Sequence, residues 1–322
     1  MRMSVAIIVI IFSAVFLTNS VSLSFAADTN LTGGDTEISF NSYRSHDRTF
    51  SSNWNMTSRQ SISSSVNVMV QTTDTRLGDD NSEQYADVKQ CATGFRYRGS
   101  KTDASLWLDQ YRSVHYFSGY RFDGRYNVSD QTSLAFAVKK SPLMDLDTLG
   151  AQGRPLLMTN NYTIKAEHTI GTAKEVQVSL TRGLYSDDNK NTAYSLRFGQ
   201  TLYDRGRNRL QVGAYGYRAN WDNISKWYGN PLSSKSYGVT TAYHVRAGKG
   251  YWTTTFTGAW GADDNNPIEF WPSLQLQYRY QSSTYSTLVL GIAGGLRTDK
   301  ASELEGLRHN YRQLSAAYQA NW

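Results

Sequence analysis

The feature that most constrains this chain is a period-two alternation of apolar and polar side chains that recurs along almost its whole length. In the stretch 273–280, Leu274, Leu276, Tyr278 and Tyr280 alternate with Ser273, Gln275, Gln277 and Arg279. At the C-terminus, Leu314, Ala316, Tyr318, Ala320 and Trp322 alternate with Gln313, Ser315, Ala317, Gln319 and Asn321. Successive side chains of a strand point to opposite faces, so each stretch reads as a strand with one apolar and one wet face. Two more stretches repeat the pattern: Tyr194, Leu196, Phe198 and Leu202 oppose Ser195, Arg197, Gly199 and Thr201, and Tyr120, Phe122, Tyr126 and Val128 oppose Arg121, Asp123, Arg125 and Asn127. Twelve further strands start near Ile38, Phe50, Ile62, Tyr85, Ala104, Leu134, Met158, Val176, Leu210, Tyr237, Trp252 and Leu288, which makes sixteen with the four above.

A soluble β-sandwich also alternates, so the connections are the second test. Short turns at 129–131, 171–173, 205–207, 247–250 and 281–283 alternate with longer segments at 142–155, 185–191, 220–236, 261–267 and 298–310. A transmembrane barrel has this rhythm of short periplasmic turns and longer external loops, and both termini then lie on the periplasmic side. Aromatic residues make up 13% of the chain, with 22 Tyr against only 5 Pro, which favours strands over helices. The mean hydropathy of −0.52 would by itself suggest a soluble protein. In a barrel, however, only every second residue meets lipid, and this dilutes the apolar signal.

The first residues read as an export signal: Arg2 is the charged start, 5–16 an apolar run, and Ser24, Ala26 and Ala27 a small-residue cleavage region. The expected organisation is a cleaved signal peptide over 1–27, then one all-β domain over 28–322. That domain is a transmembrane antiparallel β-barrel of about sixteen strands in the outer membrane of a Gram-negative bacterium. Its expected partners include outer-membrane lipid and the barrel assembly machinery.

If apolar residues face lipid, the residues between them line the lumen. The inward set then includes Arg96, Arg98, Arg121, Arg125, Lys139, Lys165, Arg197, Arg209, Arg246, Arg279 and Arg297, with His244 beside them, against few acids: Asp109, Asp123, Glu167 and Glu175. Fixed positive charge in a low-dielectric tube concentrates anions, so the expected cargo is an acidic saccharide guided by Arg121, Arg125, Lys165, Arg197, Arg209, His244, Arg246, Arg279 and Arg297. Charge that merely fills a barrel lumen is the alternative. In the longer loops, Trp221, Trp227 and Tyr228 offer flat faces for sugar rings, and Trp271 suits an interfacial aromatic girdle.

Signals for chemistry are weak. Cys91 is the one cysteine, so neither an internal disulfide nor a cysteine zinc site can form. His46, His115, His168, His244 and His309 join no nucleophile or carboxylate in a catalytic arrangement, and the pairs Asp187-Asp188 and Asp263-Asp264 read as turn acids. No metal, cofactor, nucleic-acid partner or enzymatic activity is expected.

The segment Trp227-Tyr228-Gly229-Asn230-Pro231, the strand that follows it from Tyr237 to Arg246, and Arg308 with Tyr311 before the last strand carry a resemblance. In these the chain resembles the C-terminal barrels of outer-membrane porins that export poly-N-acetylglucosamine, cellulose or Pel polysaccharide. The resemblance implies a sixteen-stranded barrel exporting an exopolysaccharide. The family's periplasmic tetratricopeptide superhelix has no counterpart here, so it implies a separate periplasmic tetratricopeptide or export-complex protein as partner. A passive uptake porin for anionic oligosaccharides is the alternative, followed by an outer-membrane enzyme.

Overall fold

A computed structural model describes residues 33–45, 49–79, 84–113, 116–143, 157–225, 231–264, 266–283, 285–298 and 308–321. The expected signal peptide lies outside the described residues. Sixteen strands follow one another: β1 (Gly34–Ser45), β2 (Thr49–Ser61), β3 (Val66–Asp79), β4 (Gln84–Arg98), β5 (Thr102–Arg112), β6 (Tyr116–Asn127), β7 (Thr132–Pro142) and β8 (Met158–Ile170) form the first half. The second half consists of β9 (Lys174–Tyr185), β10 (Lys190–Arg205), β11 (Asn208–Trp221), β12 (Ser233–Ala247), β13 (Gly250–Asp263), β14 (Glu269–Ser283), β15 (Ser286–Thr298) and β16 (Arg308–Asn321). Each strand pairs antiparallel with the next, and β1 pairs with β16 from Asp35↔Asn321 to Ser45↔Tyr311, which closes the barrel. Closure leaves no edge strand with unpaired amides, the condition for a sheet to stand in hydrocarbon.

Register decides which face each residue takes. Phe40 pairs with Trp54, Leu106 with Phe122, Phe136 with Ile164, Leu196 with Gly216, Tyr237 with Trp260, and Leu276 with Ile292, so one continuous face is apolar. That face points outward: Leu108 is 60% exposed, Phe95 58% and Ile164 55%. Exposing an aliphatic or aromatic side chain to water costs roughly 1.5–3 kcal/mol. A belt with dozens of such residues is incompatible with a water-soluble barrel and fits a bilayer. Aromatic pairs mark its borders, Trp252 with Tyr278 at 4.5 Å, Phe40 with Trp54 at 4.6 Å and Trp260 with Phe270 at 4.9 Å between ring centroids.

An even strand number puts both chain ends at one end of the barrel, here called the turn end. Its connections are short, and Gly171, Gly206 and Gly248 adopt φ of 63°, 56° and 60° there, a left-handed conformation that costs glycine nothing. At the opposite, loop end, segments 143–157, 222–232 and 299–307 are long, but 46–48, 80–83 and 113–115 are short. The long-and-short rhythm therefore holds only in part, since the segment between β9 and β10, 186–189, is as short as 80–83 although a longer one was expected at 185–191.

Two boundaries differ from the sequence reading. The strand expected near Ile62 starts at Val66, because Ser63 Oγ accepts the Ser65 and Val66 amides and makes 62–65 a turn. The turn expected at 281–283 is the end of β14, where an irregularity in register between Gln281 and Ser283 carries the strand further.

Candidate functional site: the lumenal wall

Residues opposite in parity to the apolar belt face the lumen. The expected inward residues Arg96, Arg98, Arg121, Arg125, Lys139, Lys165, Arg197, Arg209, His244, Arg246 and Arg279 all occupy such register positions. Arg297 pairs with His309 at the loop end of β15, and its side chain lies outside the described residues. The expectation of few inward acids is corrected. Asp35, Glu37, Asp79, Asp103, Asp204, Asp263 and Glu269 also hold lumenal positions, and Arg59 joins the bases.

On the wall from β1 to β8 most of these charges are tied together. Arg121 Nε and Nη2 donate to Asp109 Oδ2 and Oδ1 at 3.0 and 2.9 Å, and Nη2 also donates to Gln71 Oε1 at 2.6 Å. The arginine thus lies across the lumenal face of the two strands between β6 and β3. Its guanidinium sits 4.9 Å over the Trp107 ring. Gln90 donates to Asp109 Oδ1 at 2.8 Å, and Gln71 donates to Asn55 Oδ1 at 2.7 Å, which also receives the Thr73 hydroxyl. Asp109 faces the lumen yet is fully buried, because Arg121 covers it and its strand partners Ala92 and Gly119 are small.

Trp107 packs with Met69 and Ala92, an apolar island inside the pore. The close approach at Gly94 allows this: a Cβ there would lie 2.8 Å from the Trp107 ring and 2.6 Å from the Leu106 carbonyl.

Around this island lie further ion pairs. Arg96 Nε donates to Asp103 Oδ1 at 2.8 Å, Arg59 binds Asp35, and Arg125 and Lys165 share Glu167, with Arg125 Nη2 at 2.6 Å. Together with Trp107 and Met69, residues Arg59, Arg96, Asp103, Arg125 and Lys165 line a lumenal cavity of about 530 Å³ spanning β2 to β8. Base and acid match nearly one for one on this wall. Arg121 is bound up in the wall, and Arg125 and Lys165 are half-neutralised.

The opposite wall differs. Among the described residues, Arg197, Arg246 and Arg279 have no carboxylate within ion-pair distance and Arg209 has only Asp204 at 3.8 Å, while Arg279 lies 5.7 Å over the Tyr251 ring. Arg209, Arg246 and Arg279 stand near the turn end on β11, β12 and β14, the last two on either side of Tyr251 on β13, and the Arg246 amide bonds the Arg207 carbonyl in the adjacent turn. The lumenal positive charge that lacks a carboxylate partner therefore lies largely on β10–β14, towards the turn end, with Asp263 and Glu269 at the loop end of the same wall. His244 is held at both ring nitrogens, by Thr253 Oγ1 at 2.9 Å and Gln211 Oε1 at 3.1 Å, as expected of a pore-lining hydrogen bonder.

The aromatic expectations are redistributed. Trp221 ends β11 rather than lying within a loop. Its lumenal register position is opposite Asn191. Trp227 and Tyr228 lie outside the described residues. Trp271 is not a girdle residue: Phe270 beside it faces outward, and the Trp271 ring lies inward against Gly261. Trp54, Trp252 and Trp260 are the outward tryptophans among the described residues.

Asp187 and Asp264 do act in turns. Asp187 accepts the Asn189 amide and the Ser225 hydroxyl, and Asp264 caps the Ser233 amide. No cluster of three metal-ligating side chains occurs among the described residues.

Sequence reasoning missed Trp107, Met69 and Arg59. The signal for Trp107 was present in its parity, since Leu106 and Leu108 flank it as lipid-facing residues while Ser105 and Asp109 share its face.

No described protein family matches the chain, and no curated protein matches it in sequence. Solved structures do match in shape. A bacterial polysaccharide outer-membrane secretin superimposes with a TM-score of 0.73 at 11% identity, covering 89% of this chain and 98% of that one. CdiB from Acinetobacter baumannii gives 0.56 at 10% identity, covering 90% and 60%, and the CymD monoaromatic hydrocarbon channel gives 0.50 at 10%, covering 90% and 88%. Identities this low speak for the fold alone. The chain is a closed sixteen-stranded β-barrel of the outer-membrane type, and its apolar belt places it in the outer membrane of a Gram-negative bacterium.

Proposed function

We propose that this protein is an outer-membrane channel for a secreted polysaccharide, with the β2–β8 wall as the surface along which the chain slides. The observation that carries the reading is the composition of that wall. Planar guanidinium, carboxylate and amide groups are fixed by one another around the apolar Trp107–Met69 island and open on a cavity of about 530 Å³. Sugar hydroxyls both donate and accept, so paired charges and amides serve them better than a field of one sign, and the flat face of an aromatic ring suits the pyranose C–H face. The resemblance to polysaccharide exporters in the loop around Pro231 and at Tyr311, and the likeness in fold to a polysaccharide secretin, agree with this reading. Delivery of the polymer then falls to a separate periplasmic protein, for which a tetratricopeptide superhelix is the expected form, and the barrel itself performs no chemistry.

The basic β10–β14 wall favours an acidic polymer, and equally a second reading: passive uptake of anionic oligosaccharides. Single-channel recording in a planar bilayer under a salt gradient tests both. The expected result is an anion-selective current that acidic oligosaccharide blocks from the turn end. Block from the loop end alone would favour uptake, and current indifferent to any saccharide would overturn both readings.

A further inference from the structure

The outer surface of the barrel carries a cationic patch that the transport reading does not use. Arg182 on β9, Lys190 on β10, Arg218 on β11 and Lys235 on β12 share the outward parity of Leu180, Tyr194 and Tyr237, near the loop end. Arg218 and Lys235 are direct partners across the β11–β12 ladder, side by side and both exposed. Like charges opposite each other on a sheet repel, and a bound anion removes that cost. No described acid reaches ion-pair distance of any of the four: Asp222, whose amide bonds the Lys190 carbonyl, makes no ion pair with its side chain, and Arg182 hydrogen-bonds only the neutral Thr192 hydroxyl. The outward charges on β3 and β4 contrast with this, since there Arg76 faces Asp87 at 3.9 Å and Asp74 lies on the same face.

Tyr194 is the direct partner of Arg218 across the β10–β11 ladder, and the outward rings of Tyr237 and Trp260 lie one outward position further from the loop end than Lys235, at the border of the apolar belt. The four cations therefore sit at headgroup height on the side of the membrane that the loops face. In an outer-membrane barrel that side is the external leaflet, which is built of phosphorylated glycolipid.

We infer that the β9–β12 patch binds the phosphate groups of a lipid A-type glycolipid, with Arg218 and Lys235 as its centre. Guanidinium and ammonium donors at a lipid surface recognise phosphate by charge-assisted hydrogen bonds, and the aromatic rings below seat the acyl-bearing sugar. The inference rests on the fold and the outer surface, and is independent of what passes through the pore.

The test uses the full chain refolded in detergent, with heat-modifiable gel mobility as the check on folding and native mass spectrometry to count retained lipid. The probes are bis-phosphorylated lipid A and its dephosphorylated form. The double variant Arg218→Gln, Lys235→Gln is compared with Arg76→Gln, Lys89→Gln on the other wall. We expect the wild type and the second variant to hold bis-phosphorylated lipid A alike, and the first variant to weaken by about fivefold for each charge removed. Equal retention by the first variant, equal retention of dephosphorylated lipid A, or displacement by millimolar inorganic phosphate would each overturn the inference.

Discussion

At the scale of single residues, the most informative side chain is Asp109. A carboxylate at zero exposure survives in a pore only because Arg121 grips both its oxygens and Gln90 adds a third donor. A buried pair of this kind contributes little over an apolar pair of equal volume, but leaving one partner alone costs ~3–5 kcal/mol. Asp109→Ala should therefore destabilise the folded barrel by about 3 kcal/mol in urea unfolding from detergent, since it strands the Arg121 guanidinium over Trp107. The double variant Asp109→Val, Arg121→Met should recover most of that loss. If the single and double variants fall equally, the pair is not the latch described here. Asp109 and Arg121 hold the wall in shape, whereas Arg246 and Arg279 have no carboxylate partner among the described residues and, on the proposed channel reading, are the groups left to meet a solute.

Individual strands are specified by local alternation, and for that reason all sixteen were legible in the sequence. The apolar face of 274–280 or 194–202 needs no knowledge of its neighbour. Register depends on neighbours, and much of the site follows from it. Parity correctly placed Arg96 and Arg121 inward, but their partners Asp103 and Asp109 are known only once β4 pairs with β5 and β5 with β6. The lumen therefore looked basic when half of it is balanced. Ile62 misled for the opposite reason, being an apolar residue in a turn that Ser63 specifies.

Strand pairing also makes some glycines irreplaceable and leaves others free. A Cβ on Gly119 would stand 2.2 Å from the Lys140 carbonyl oxygen and 3.1 Å from the Tyr111 ring, both on neighbouring strands. A Cβ on Gly199 meets nothing within 4 Å. Gly119→Ala must spread β6 from β7 and should cost about 1–3 kcal/mol, as overpacking does. Gly199→Ala should be neutral or stabilising by up to ~1 kcal/mol, because alanine has less backbone freedom to lose. Urea midpoints of the two variants in one detergent give the comparison, and equal midpoints would refute the strand-contact argument.

Across the whole molecule the barrel has two unlike sides. From β1 to β8 the lumen is mostly a lattice of ion pairs and amides, whereas on β10 to β14 only Asp204 comes within ion-pair distance of Arg197, Arg209, Arg246 or Arg279, and the other lumenal acids there, Asp263 and Glu269, stand at the loop end. Interaction energy scales inversely with the local dielectric, so charges already paired add little to the field at the pore axis, while unpaired ones on the facing wall dominate it. Ion selectivity should then follow the smaller set of arginines rather than the larger. Replacing Arg209, Arg246 and Arg279 with Gln should move the reversal potential under a salt gradient from anion-selective towards zero, with conductance in high salt changed little because screening already hides the charges there. Replacing Arg96 and Arg98 together should push selectivity towards cations, since it removes both guanidinium groups within ion-pair distance of Asp103. A reversal potential unmoved by the triple change would mean that the current avoids the β10–β14 wall, and the neutral wall alone would then define the path.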